Sequence, residues 1–98
     1  MSVPFSREHA DIIKTILVRY PYSFFAFGSR VKGIHKTFSD LDLCYKEKIP
    51  DSVIATLLDD FEQSDLPFKV DIVAWQRCTP EFQQQIKNDL IPVETLWR

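Results

Sequence analysis

Three aspartates and one glycine turn carry the chemistry that this sequence can do. The run Asp40-Leu41-Asp42-Leu43 sets two carboxylates two residues apart. Side chains alternate along a strand, so Asp40 and Asp42 share one face while Leu41, Leu43 and Tyr45 take the other. Their Cα atoms would then lie ~6.6 Å apart, two rises of about 3.3 Å. At that spacing both carboxylates can hold one hard cation or bridge two. Mg²⁺ suits such a pair and completes its octahedron with water and phosphate oxygens. Taken alone, Asp-x-Asp is more often two solvent-facing acids on an edge strand. Asp71 shifts the balance. Within Lys69-Val70-Asp71-Ile72-Val73 it stands mid-strand, opposite an apolar face of Phe68, Val70, Ile72 and Ala74. An acid in that setting is costly unless a cation pairs with it.

The second feature is Phe27-Gly28-Ser29-Arg30-Val31-Lys32-Gly33. The chain has only two glycines, Gly28 and Gly33, and both fall here. Average usage of ~7% would give about seven. The segment therefore needs positive φ or a close backbone approach. A strand-to-helix turn of small residues exposes N–H groups that suit phosphate. Ser29 adds a hydroxyl, and Arg30, Lys32 and Lys36 add positive charge. A glycine turn followed by a solvated basic helix is the bland alternative. An anion site just ahead of a cation-binding pair is what metal-assisted phosphoryl or nucleotidyl transfer requires.

These residues need elements to hold them. Ser6 reads as an N-cap with Glu8 in the first turn, and Ile13, Ile16, Leu17 and Tyr20 follow helical spacing up to Pro21. Residues 22–27 are aromatic and free of charge, a buried strand. Residues 28–33 form a turn that opens a short helix. Residues 40–46 alternate polar and apolar, a second strand. Pro50-Asp51-Ser52 starts a helix with a stripe of Val53, Ile54, Leu57, Leu58 and Phe61. Residues 68–75 are a third strand. Thr79-Pro80-Glu81 combines a cap, an N1 proline and a first-turn acid, and Phe82 and Ile86 face inward from the helix it opens. The apolar tail, residues 90–98, packs as strand or turn. Strands alternating with helices imply an α/β-type sheet covered by helices.

Ninety-eight residues are read as one domain, 1–98. A net charge of −2 argues against a protein that coats nucleic acid or an anionic membrane. No apolar run is long enough for a membrane span, and the first residues lack a signal-peptide layout. Two cysteines, Cys44 and Cys78, are too few for a disulfide scaffold or a zinc site, so a reduced, cytoplasmic setting is expected. Cys44 is expected to be a small packed residue. His9 and His35 are expected to be solvated, and Trp75 to cover the rim of the sheet.

The combination of Gly28-Ser29, then Asp40-x-Asp42, then Asp71 on a later strand resembles the nucleotidyltransferase superfamily that includes DNA polymerase β. The stretches 27–33, 39–43 and 64–71 look like its small branch, the minimal nucleotidyltransferases. The resemblance covers roughly residues 9 to 90. It implies an α/β (α+β) fold, a small mixed β-sheet covered by helices. It implies that Gly28 and Ser29 hold the terminal phosphates of ATP, with Arg30 and Lys32 beside them. Asp40, Asp42 and Asp71 would be the catalytic, metal-binding set for two Mg²⁺ ions, with Asp71 helping to activate the attacking hydroxyl. Larger relatives add a domain that grips the base or the acceptor. Without one, this chain is expected to borrow that surface from a partner or to bind its substrate weakly alone. Relatives of this size often pair with a helical HEPN-type toxin as its antitoxin, in several cases by transferring AMP to a toxin tyrosine. The resemblance thus implies an Mg-dependent protein adenylyltransferase in a hetero-oligomer. Its rivals are an antitoxin that acts by binding alone and an orphan enzyme that modifies a small molecule.

Overall fold

The computed structural model describes residues 6–28 and 39–97. Helix α1 spans Arg7–Leu17, strand β1 Phe25–Phe27, strand β2 Leu41–Tyr45, and helix α2 Asp51–Glu62. Strand β3 (Val70–Ala74), a 3₁₀ turn (Trp75–Arg77), helix α3 (Pro80–Ile86), strand β4 (Ile91–Pro92) and a second 3₁₀ turn (Val93–Trp97) follow.

Local signals set most of these ends. The Ser6 side chain accepts from the His9 N–H, and the Thr79 side chain accepts from the Phe82 N–H with Pro80 in the first turn. Both are side-chain caps for orphan amides, each worth about 1 kcal/mol. Helix α1 stops at Leu17, ahead of Tyr20. Tyr20 lies in the turn beyond and donates its hydroxyl hydrogen to Asp60 of α2. The strands are shorter than their sequence pattern predicts. Strand β1 begins only at Phe25, because β4 meets it at Phe25 and Ala26. Just upstream, the Phe24 carbonyl accepts from the Val93 N–H at 3.0 Å and the Ser23 N–H donates to the Glu47 carboxylate. Those main-chain groups are satisfied outside the ladder.

The sheet is mixed, in the order β3-β2-β1-β4. Strand β1 is antiparallel to both β2 and β4, and β2 is parallel to β3. A parallel pair needs a crossover, and α2 supplies it. The chain between β3 and β4, including α3, connects one edge of the sheet to the other.

The two faces differ. Leu41, Leu43 and Tyr45 of β2, with Ala26 and Val70, enter the main core with Ile13, Ile16 and Leu17 of α1 and Ile54, Leu57 and Phe61 of α2. Val93 and Leu96 close that core, which settles the tail as a short strand followed by a turn. The opposite face carries a smaller cluster of Phe27, Cys44 and Ile86, with Val73, Trp75, Phe82 and Leu90 packed around it. Helix α3 builds this second cluster. Phe82 meets Phe27 edge-to-face with centroids 5.9 Å apart. His9 departs from expectation: it is half-buried and sets its ring edge-on to Phe68 at 5.7 Å.

Candidate active site

Asp42 and Asp71 meet because two strands run in register. Asp42 is the pairing partner of Asp71 across the parallel β2–β3 ladder. Neighbouring strands lie about 4.8 Å apart, and paired residues point to the same face. The alternation read in the sequence holds on β2: Leu41 and Leu43 are fully buried on one face, and Asp42 is half-exposed on the other. Asp40 is exposed and lies one residue ahead of β2.

On the other side of Asp42 stands Phe27, its partner in the antiparallel β1–β2 ladder. Gly28 follows, with φ +89°. A Cβ at Gly28 would fall 2.5 Å from Asp42 Oδ2, closer than side chains tolerate. The backbone conformation requires glycine, and any Cβ here would also make the Asp42 carboxylate swing aside. The other sequence-derived candidates at this turn, Ser29, Arg30 and Lys32, lie outside the described residues, as do Lys36 and His35.

The electrostatics follow from this crowding. Burial, then the charge of Asp71, then that of Asp40 push the Asp42 carboxyl above its ordinary pKa. The burial comes from the second cluster: Phe27 flanks Asp42, and Cys44 lies two residues along the same face, completely buried. Among the described residues, no lysine, arginine or histidine forms an ion pair with any of the three aspartates. Among the described residues, anionic charge is thus gathered at a half-dry place without a counter-ion. A hard divalent cation suits that donor set. Among the described residues, no three acidic, histidine or cysteine side chains are clustered tightly enough to hold an ion between them. The side chains that stand together are those of Asp42 and Asp71.

Cys44 and Cys78 are both free thiols. Burial is the main force raising the Cys44 thiol, to about 11, so it is packing material rather than a nucleophile. Trp75 opens the 3₁₀ turn after β3 and joins the second cluster, and Lys46 lies over its ring at 5.0 Å and over Phe25 at 5.3 Å. A further pocket, bordered by Asp71, opens at the outer side of β3. It joins residues from α2, the turn after it and β3. No spacing rule in the sequence marks that combination.

Residues 11–93 match the family described as polymerase beta, nucleotidyltransferase. The chain is 37% identical over 91 residues to the probable protein adenylyltransferase MntA of Haemophilus influenzae, covering 89% of this chain and 80% of that protein. Its fold is similar, at a TM-score of 0.64 and 18% identity, to a chain in a crystal structure of a toxin–antitoxin with AMP-PNP, over 90% of this chain and 80% of that one.

Proposed function

The chain belongs to the polymerase β nucleotidyltransferase family, and from that premise we propose that it is a protein adenylyltransferase acting as an antitoxin. In this reading it moves AMP from ATP onto a hydroxyl, most simply a tyrosine, of a HEPN-type helical partner. The observation that carries the reading is the in-register pair Asp42–Asp71 with the Gly28 backbone pressed against Asp42. A carboxylate pair beside a glycine turn serves a nucleoside triphosphate that reacts at phosphorus. The name of the Haemophilus relative supports the protein acceptor, and the fold shared with a chain of a toxin–antitoxin structure is in keeping with the antitoxin role.

The roles follow from position. Asp42 and Asp71 would hold Mg²⁺, with Asp40 turning in from its exposed place ahead of β2. The ions would supply charge neutralisation at the phosphates and lower the barrier to displacement. Gly28 and Ser29 would cradle the terminal phosphates through their N–H groups, and Arg30 and Lys32 would balance the leaving pyrophosphate. Asp71 would accept the proton of the attacking hydroxyl. Positioning that hydroxyl in line with the α-phosphate is worth ~7–11 kcal/mol of the barrier.

The test uses the full chain, MgATP and the product of the neighbouring open reading frame. The neighbour should gain the mass of one AMP or more, and none with Asp42→Asn. Full neutralisation of the neighbour without any mass gain would instead establish an antitoxin that acts by binding alone.

A further inference from the structure

Strand β3 lies at an edge of the sheet, and its outer side leads to Asp71. The Leu41 N–H donates to the Lys69 carbonyl at 2.9 Å, and Leu41 pairs with Val70. A strand residue sends its N–H and C=O to one side, and the next residue sends them to the other. Lys69, Asp71 and Val73 therefore direct their main-chain groups toward β2, while Val70, Ile72 and Ala74 direct theirs outward. The Ala74 carbonyl accepts from the Cys78 thiol at 3.3 Å. Among the described residues, no strand pairs with this outer side. The opposite edge is blunted by the usual devices: β4 has two residues, and one is Pro92, which lacks an N–H. Strand β3 has five residues and no proline.

Beside this edge lies a pocket of about 570 Å³ lined by Leu58, Phe61, Leu66, Phe68 and Val70 and bordered by Asp71. Along β3, Val70 faces the pocket side and Asp71 faces the other. A strand laid against β3 would alternate in the same way, one side chain into the pocket and the next onto the Asp71 face. Lys69 is exposed, borders the pocket and forms no ion pair among the described residues.

We propose that the acceptor arrives as an extended segment paired to the outer edge of β3, an apolar side chain in this pocket and the target hydroxyl on the adjoining residue beside Asp71. The inference rests on the protein-adenylylation reading. Main-chain hydrogen bonds to Val70 and Ile72 supply affinity, and the pocket supplies the register that brings the hydroxyl to Asp71. An acidic residue two positions from the target complements Lys69. In the transfer step the acceptor oxygen bonds to the α-phosphorus of ATP, and the bond from that phosphorus to the bridging oxygen of the β-phosphate breaks. Pyrophosphate leaves, and the hydroxyl proton passes to Asp71.

Two capped heptapeptides test this, Thr-Glu-Leu-Tyr-Leu-Glu-Thr and the same peptide with both leucines replaced by aspartate. On the full chain without nucleotide, the leucine peptide should slow exchange of the Val70 and Ile72 amides at least tenfold, and the aspartate peptide should not. With MgATP the leucine peptide should gain AMP with at least tenfold higher kcat/KM, the difference lying in KM. Leu66→Asp, checked for folding by its amide spectrum, should abolish the preference. Slowed amides without transfer would uphold the docking edge and overturn the adenylylation reading. Equal transfer to both peptides without slowed amides would overturn the docking edge and keep the adenylylation reading. Neither binding nor transfer, or amides slowed only by raising the concentration of the chain itself, would also overturn it, the latter assigning the edge to a second copy.

Discussion

The Asp42 carboxylate lies in the space that a side chain at Gly28 would fill: a Cβ there would sit 2.5 Å from Asp42 Oδ2. One residue closes strand β1 and the other lies in β2, so the contact ties the glycine turn to the acid pair. Any side chain at position 28 would have to displace a candidate metal ligand and also hold φ at +89°.

Gly28→Ala should therefore cost both stability and activity. The left-handed backbone alone costs about 1 kcal/mol or more for a residue with a Cβ. In a domain this size each 1 kcal/mol lowers Tm by roughly 4–8 °C. Nucleotide transfer should fall at least tenfold. In an Asp42→Ala background the steric part of the penalty should vanish and the backbone part should remain. Thermal melts of the two single variants and the double variant measure this as a non-additive cycle. Strict additivity would mean that the contact carries no energy.

Asp42→Asn should abolish transfer and stabilise the metal-free protein. Burial and the charges of Asp71 and Asp40 raise the Asp42 pKa in the folded chain. The folded state then binds this proton more tightly than the unfolded state, so stability falls as pH rises through the folded pKa. Above that pH the asparagine variant should melt a few degrees higher than wild type. The gain stays below the roughly 4–8 °C of a full 1 kcal/mol, because solvent screens part of the repulsion at a half-buried group. Well below the unfolded pKa the difference should close. Millimolar Mg²⁺ with ATP should stabilise the wild type and not the variant. Melting curves from pH 3 to 8, with and without MgATP, check each part.

Thiol chemistry should separate the two cysteines. Cys44 is completely buried with its thiol pushed up to about 11, while Cys78 is half-exposed. A maleimide at neutral pH should label Cys78 within minutes and reach Cys44 only after denaturation. Peptide mapping of the labelled chain distinguishes them. Equal labelling of both in the native protein would mean that the second cluster opens readily.

Tyr20→Phe should loosen the link between the end of α1 and α2. The Tyr20 hydroxyl donates to Asp60, and that bond, with burial and the Asp60 charge, raises the phenol above its ordinary 10.0. The stability it contributes is present below the unfolded pKa and lost as pH rises through the folded one. A charge-assisted bond of this kind is worth about 1 kcal/mol net at a partly exposed site. The phenylalanine variant should melt lower at pH 7, and the gap should narrow above pH 11. Ultraviolet titration of the phenol and melting curves at both pH values read the two effects.

Several features were fixed by residues close together in the chain. Ser6 and Thr79-Pro80 mark helix starts because a cap needs only an oxygen within reach of an amide three positions on. Asp42 opposite Leu41 and Leu43 follows from the two-residue repeat of a strand, which no distant contact can change. Gly28 was legible because a chain with two glycines spends them where backbone geometry demands it. Other features depend on which strand lies beside which. Asp42 and Asp71 are 29 positions apart in the numbering, and nothing local dictates that β2 and β3 pair in parallel with these two acids in register. That register is set by burying Leu41, Leu43 and Val70 together against α1 and α2, since a slip of one residue would turn the acids into the core. The position of α3 across from Asp42's neighbours, the drying of the site by Phe27 and Cys44, and the pocket beside the outer side of β3 are likewise products of packing. They arise from hydrophobic burial summed over distant segments, which has no period and no spacing to read along the chain.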